Sequence, residues 1–289
     1  MENDTSRIRF AYFGTPLFAT IILDELEKEG YLPAVVITAP DKPKGRKLIV
    51  TPSEVRVWAE ARNIPVLTPI TLRDEVFERN LALYDSHLFI VAAYGKIIPK
   101  KILEMPRYGV LNVHPSLLPK FRGSSPIESV ILSNEEQTGV TIMKLDEDLD
   151  HGPIVAQELH TAREWPPKGS VLTGALAHEG GALLARTIPE WITEQKAKEQ
   201  DHAQATFTKK IIKEDGRIDL EEDPLSNYKK IQAFDEWPGA YFFTKRSGKD
   251  IRVRITHATY KDNKLNIIRV VPEGKKEMPY EDFLRGGNK

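Results

Sequence analysis

The chain has 289 residues, room for two ordinary domains, with 40% hydrophobic residues, 29% charged residues and a net charge of -1. That balance excludes a disordered chain and a globally basic one, so any nucleic-acid role must rest on local patches. The absence of cysteine excludes disulfides, thiolate metal sites and cysteine nucleophiles.

No apolar run approaches the roughly 18 residues of a membrane span. The polar start MENDTSRIRF lacks the apolar core of a signal peptide, so a soluble cytoplasmic protein is expected.

Ile8 to Phe13 reads as a first strand closed by Gly14. Apolar residues then recur at helical spacing until Gly30, a helix stop. Pro33 to Thr38 has the composition of a buried strand, and Pro40 to Pro52 is expected to be a long basic loop rich in breakers. Ser53 is placed to cap a helix. A short third strand near IPVLTP, a helix over about 70–81 and a nearly continuous apolar strand from His87 to Ala93 follow. Strands alternating with helices predict βαβ units and a mostly parallel, Rossmann-like sheet.

The next strand runs from about Val110 to His114 and stops at Pro115. SPIESVILSN starts a helix, and GVTIMKL and GPIVAQELH read as strands joined by the acidic loop DEDLD. A long helical region begins at Ser170, with a kink or break expected at Pro189. We place a catalytic domain over 1–195, a polar linker over about 196–204 and a second domain over 205–289. The second domain carries one short helix and several short strand patterns, so it should be small and mostly β. From Ala240 to Lys289 it holds 12 Lys and Arg against 6 Asp and Glu.

Residues i and i+2 of a strand point to the same side, so Asn112 and His114 can face one site. Ligands of open α/β sheets bind beyond the carboxyl ends of the strands, where these two residues sit. An imidazole can shuttle a proton, an amide is a neutral donor for a developing oxyanion, and a carboxylate from the DEDLD loop could complete the set. Such a trio suits acyl transfer to a nucleophile that arrives with the substrate. Taken alone, an Asn-x-His pair is equally compatible with a structural histidine, and an acidic turn with solvated surface.

FGTPLFA, PDKPKGR, AAYGKIIP, NVHPSLLPKFRG and GVTIMKLDEDLDHGPIV occur in this order. Together they resemble the 10-formyltetrahydrofolate-dependent formyltransferases, densely over the first two hundred residues and thinly to the end. The resemblance implies that Asn112, His114 and Asp150 are the catalytic residues. Asn112 and protonated His114 would stabilise the oxyanion, and Asp150 would orient His114 and help move the amine proton. Asp150 is preferred over Asp146 and Asp148 because Gly152 follows it in the family pattern. His151 is a departure, since the family more often has a small residue there. Ser116, Leu117, Leu118 and Pro119 match the folate-binding segment, and Ala92, Tyr94 and Gly95 lie on the stretch that would wall the pterin pocket through its backbone. The donor implied is 10-formyltetrahydrofolate, with no metal.

Within the superfamily the likeness is greatest to the branch that formylates initiator methionyl-tRNA. It implies that Lys42, Lys44, Arg46 and Lys47 enter the acceptor stem, that the basic second domain is an OB-like tRNA-binding module, and that the protein is a monomer. Between ITHATY and IIRVVPEGKK the chain is shorter than the family pattern, which puts a closed barrel in question. An amino-sugar nucleotide formyltransferase and a non-catalytic RNA-binding relative remain the alternatives.

Overall fold

The computed structural model describes residues 8–44, 48–246 and 248–286, which form two compact units. The first takes the described residues up to Ser124, with Gly139–His160 and Gly174–Phe207. The second takes Ser125–Thr138, Thr161–Thr173 and the described residues from Thr208 onward.

In chain order the strands are β1 (Phe10–Gly14), β2 (Val35–Ile37), β3 (Lys42–Lys44), β4 (Ile49–Thr51), β5 (Val66–Leu67), β6 (Leu88–Ala92), β7 (Val110–His114), β8 (Arg122–Gly123), β9 (Thr138–Lys144), β10 (Ile154–His160), β11 (Phe207–Thr208), β12 (Tyr241–Arg246), β13 (Lys249–Lys261), β14 (Lys264–Pro272) and β15 (Met278–Pro279). The helices are α1 (Leu17–Lys28), α2 (Glu54–Glu60), α3 (Glu75–Ala82), α4 (Lys100–Leu103), α5 (Pro126–Ser133), α6 (Gly169–Glu194), α7 (Pro224–Ala233) and α8 (Tyr280–Arg285).

A seven-stranded sheet in the order β10-β9-β7-β6-β1-β2-β5 forms the first unit's centre. β1 pairs in parallel with β2 and β6, β2 with β5, and β6 with β7; β9 joins β7 antiparallel. Every residue of β1, β6 and β7 is buried. That accounts for their near-continuous apolar sequences, because a strand covered on both faces has no solvent side to keep polar. The chain starts at the centre, runs outward through β2 and β5, and returns to add β6 and β7 on the other flank. This reversal is the topological switch beside which open α/β sheets bind ligands. A Cβ on Gly14 would lie 2.7 Å from the Ala19 Cβ and 3.1 Å from the Ala92 carbonyl oxygen, so glycine lets the chain leave β1 there.

Ser53 caps α2 as expected, its hydroxyl accepting from the Arg56 N–H at 3.0 Å. Two expectations need correction. The stretch Pro40–Pro52 is not simply a loop: β3 and β4 pair antiparallel, with Lys42 opposite Thr51 and Lys44 opposite Ile49. The β-branched run Ile49-Val50-Thr51 supplies strand propensity that the breakers and lysines obscured. Of the kink or break expected at Pro189, the break does not occur: α6 continues to Glu194. Leu184, Ile188 and Trp191 are buried on it, and the Trp191 indole N–H donates to the Tyr108 carbonyl at 2.8 Å; these contacts outweigh the one backbone bond that proline removes.

In the second unit, β12, β13, β14 and β15 form an antiparallel sheet in sequence order. Ile231 of α7 and Phe283 of α8 share its core with Ile218, Phe242, Val253 and Val270. The Asp223 carboxylate caps α7 by accepting from the Ser226 N–H at 2.8 Å. Where the sequence is short, Asp262 and Asn263 (φ 52 and 57) join β13 to β14 in a two-residue turn, the geometry that suits hairpin twist. The small, mostly β domain is therefore present, as an open row of strands among the described residues.

Candidate active site

Three strand ends meet at one edge of the first sheet: Gly14 of β1, Ala92 of β6 and His114 of β7. The parallel register sets Gly14 beside Ala92 and Asn112 beside Val91. Asn112 and His114 are 8% and 4% exposed, so each is a polar group withdrawn from bulk water on the same side of one strand. Among the described residues the Asn112 amide takes no side-chain hydrogen bond, which leaves its N–H groups free for a ligand.

The His114 Nε2 lies 3.0 Å from the Phe121 carbonyl oxygen. A carbonyl only accepts, so this nitrogen carries a proton and the backbone fixes both the tautomer and the ring. The other nitrogen, Nδ1, faces Asp150 Oδ2 at 3.7 Å, the range of an ion pair but longer than a hydrogen bond. The same Oδ2 accepts the Gly123 N–H at 2.7 Å. The ring is thus oriented chiefly by Phe121, and the carboxylate by Gly123.

Asp150 has φ 46, a left-handed conformation uncommon outside glycine. Gly152 follows in a tight passage, where an added Cβ would lie 2.0 Å from the Lys144 carbonyl oxygen. Of the alternatives to Asp150, the Asp146 carboxylate instead receives His151 Nδ1 at 2.8 Å, and its Oδ1 accepts the Asp148 N–H at 3.0 Å. His151 stacks on His202, ring centroids 4.1 Å apart and planes 1° from parallel.

Ser116 and Leu118 are buried, while Leu117 and Pro119 are partly exposed. The segment is pinned from below by Thr141 of β9. Its hydroxyl donates to the Ser116 carbonyl at 2.6 Å and accepts the Leu118 N–H at 3.2 Å, while Gln157 of β10 donates to the Leu118 carbonyl at 3.0 Å. Ala93 (φ 45) and Gly95 (φ 78) turn the chain after Ala92. The Tyr94 ring goes into the core, edge-on to Phe13 at 5.5 Å, so this residue can offer a ligand only its backbone. Both stretches follow neighbouring strands, β7 and β6, so their backbone groups lie at the same edge of the sheet.

Lys42 is exposed on the β3–β4 hairpin. Burial, and then the positive charge of Lys42, hold the Lys96 ammonium below its ordinary range. Only the backbone of Lys44 is described, and Arg46 and Lys47 lie outside the described residues. Among the described residues no cluster of His, Asp and Glu could hold a metal ion, and no helix is long and apolar enough to cross a membrane.

Sequence reasoning passed over the Phe121 carbonyl, Thr141, Gln157 and Gln200. Gln200 stands in the stretch 196–204 read as a linker, yet it is 5% exposed. Its Nε2 donates to the Asp150 and Gly152 carbonyls at 3.0 and 2.7 Å, and its Oε1 accepts from Arg122 Nη2 at 2.7 Å. Lys198 in the same stretch bridges to Ile154. The one available signal was that Gln200 is an uncharged residue within a run of charges.

Residues 6–187 match the family described as formyl transferase, and residues 210–264 the formyl transferase C-terminal domain. The chain is similar to a methionyl-tRNA formyltransferase of Thermus thermophilus, 37% identical over 298 residues that cover 96% of each chain. Its fold is that of a methionyl-tRNA formyltransferase from Clostridium thermocellum (TM-score 0.60, 18% identity, 92% of this chain and 98% of that one). An N-formyltransferase from Helicobacter canadensis, in complex with folinic acid and dTDP-3-aminofucose, has the same fold (TM-score 0.64, 19% identity, 88% of each chain).

Proposed function

Because the chain belongs to the methionyl-tRNA formyltransferase family, we propose that it transfers the formyl group of 10-formyltetrahydrofolate to the free amine of initiator methionyl-tRNA, acting as a monomer in the cytoplasm. The observation that carries the chemistry is the trio at the end of β7: two buried donors, Asn112 and His114, with the Asp150 carboxylate 3.7 Å from His114 Nδ1. No nucleophilic side chain belongs to this set, which suits an attacking nitrogen that comes with the substrate.

The donor supplies the formyl carbon, held between the Ser116–Pro119 ledge and the Ala92–Gly95 wall. The Asn112 N–H groups, and the positive charge of His114 when protonated, would stabilise the oxygen that gains charge as the amine attacks. Preorganised donors in a water-poor site contribute roughly 3–4 kcal/mol each to such a step. Asp150, fixed by Gly123, is placed to accept the proton that the amine must lose. The proton balance closes when the departing folate nitrogen takes a proton as its bond to carbon breaks.

For the acceptor, the support is near end-to-end similarity to the Thermus protein together with the basic residues between Lys42 and Lys47. Cationic groups suit the phosphates flanking an aminoacylated RNA end. The test compares charged initiator tRNA with a sugar nucleotide amine. Formylation of the tRNA alone is expected. Removing the charges of Lys42, Lys44, Arg46 and Lys47 should raise the KM for tRNA, lower its salt dependence and leave the KM for folate unchanged. Turnover of the sugar amine without activity on tRNA, or a quadruple alanine variant with the parent's tRNA kinetics, would contradict this reading.

A further inference from the structure

We infer that Gln200 is a positioning residue for catalysis: by holding the backbone on both sides of His151, it keeps the Asp150 carboxylate facing His114. The inference rests on the role proposed above for Asp150. Asp150 has a left-handed backbone, which Asp tolerates better than most residues with a side chain, and the contacts around it fix which way its carboxylate turns. Gly152, pressed against Lys144, fixes the far side of the turn. Gln200 binds the Asp150 and Gly152 carbonyls through one amide nitrogen, at 3.0 and 2.7 Å, and so clamps the turn from outside.

The other end of the same amide reaches the opposite side of the site. Gln200 Oε1 accepts from Arg122 Nε at 3.2 Å and from Nη2 at 2.7 Å, and Arg122 is 3% exposed. Arg122 lies between the two residues whose backbones hold the catalytic pair. The Phe121 carbonyl takes His114, and the Gly123 N–H takes Asp150. A single side chain therefore ties the loop bearing Asp150 to the segment Phe121–Gly123 that orients both acid–base groups. Arg122 Nη2 also donates to His202 Nδ1 at 2.8 Å, which seats the guanidinium. The bridge between Lys198 and Ile154, with N–H to carbonyl distances of 2.7 and 2.8 Å, delivers Gln200 to this place. A misplacement of about 1 Å in a catalytic group, even from a change remote from the chemistry, can cost on the order of 100-fold in rate.

A bland reading is that Gln200 merely gives the buried Arg122 an acceptor. Gln200→Glu separates the two. A glutamate still accepts from Arg122, but it turns an oxygen towards the Asp150 and Gly152 carbonyls and loses both donors. With the full-length protein, kcat for formylation of methionyl-tRNA should fall roughly 10- to 100-fold in Gln200→Glu, with both KM values within about twofold of the parent. In an Asp150→Ala background the same change should cost nothing further, because its effect passes through Asp150. Exchange of the Gly123 amide proton, followed by NMR, should speed up in Gln200→Glu, a readout that needs no turnover. Gln200→Met, which removes both ends of the amide, should show the same exchange.

Parent-like kcat in Gln200→Glu, an equal loss in the Asp150→Ala background, or a Gly123 amide as protected as in the parent would overturn the inference. If the parent itself forms no formyl-methionyl-tRNA, the proposed function fails, and the Gly123 exchange still decides whether Gln200 holds Asp150.

Discussion

Gly152→Ala tests how far the reaction depends on the backbone behind Asp150. The added methyl would begin 2.0 Å from the Lys144 carbonyl oxygen, while real Cβ contacts stay beyond 3.0 Å, so one side must yield by about 1 Å. Lys144 is poorly free to move: it ends β9, which is paired to β7, and its N–H donates to the Pro153 carbonyl at 3.0 Å. The displacement falls instead on the turn that carries Asp150, two residues away. Overpacking of this kind destabilises a fold by about 1–3 kcal/mol. A misplacement of about 1 Å in a catalytic group costs on the order of 100-fold in rate. Steady-state formylation and thermal melting of the purified variant measure the two effects separately. A kcat within about threefold of the parent, in a folded protein, would refute the reasoning, because the Asp150 carboxylate would then tolerate the shift.

Thr141→Val keeps the side-chain shape and removes the hydroxyl that pins the Ser116 carbonyl and the Leu118 N–H. It should raise the KM for the folate donor about tenfold, roughly 1.4 kcal/mol, with the KM for tRNA unchanged; an unaltered folate KM would show that the ledge does not bind the donor. Burial pushes the Glu128 carboxyl above its ordinary value of 4.5, against a smaller downward pull from its own backbone N–H. A raised folded-state pKa favours the neutral acid, so its stabilising contribution is present at low pH and lost as pH rises through the raised value. Glu128→Gln should therefore gain thermal stability relative to the parent between pH 4 and pH 8, and a difference that stays flat or shrinks across that range would contradict this.

The parts of the molecule that could be read from sequence are those whose signal lies in side chains. β1, β6 and β7 announced themselves because strands buried on both faces must be apolar throughout. Asn112 and His114 stood out as the polar exceptions in such a strand. The β3–β4 hairpin was hidden because β3 is made of Lys42, Pro43 and Lys44, poor strand formers, while only Ile49, Val50 and Thr51 of β4 carry strand character. α6 runs through Pro189 because Ile188 and Trp191 pack, a tertiary effect that local propensity does not contain. The hold on His114 was illegible for a different reason: the acceptor is the Phe121 backbone, and a carbonyl has no sequence signature. Gln200 was lost in a polar tract, since a lone amide declares a function only once the carbonyls it binds are known.

The most direct measurement is single-turnover transfer of labelled formyl from 10-formyltetrahydrofolate to charged initiator tRNA, with the parent and His114→Ala in parallel. The account predicts rapid appearance of formyl-methionyl-tRNA with the parent. The single-turnover rate constant in His114→Ala should be lower by at least about 100-fold, while tRNA still binds. A His114→Ala enzyme that transfers formyl at the parent rate would contradict the claim that the end of β7 is where the chemistry occurs.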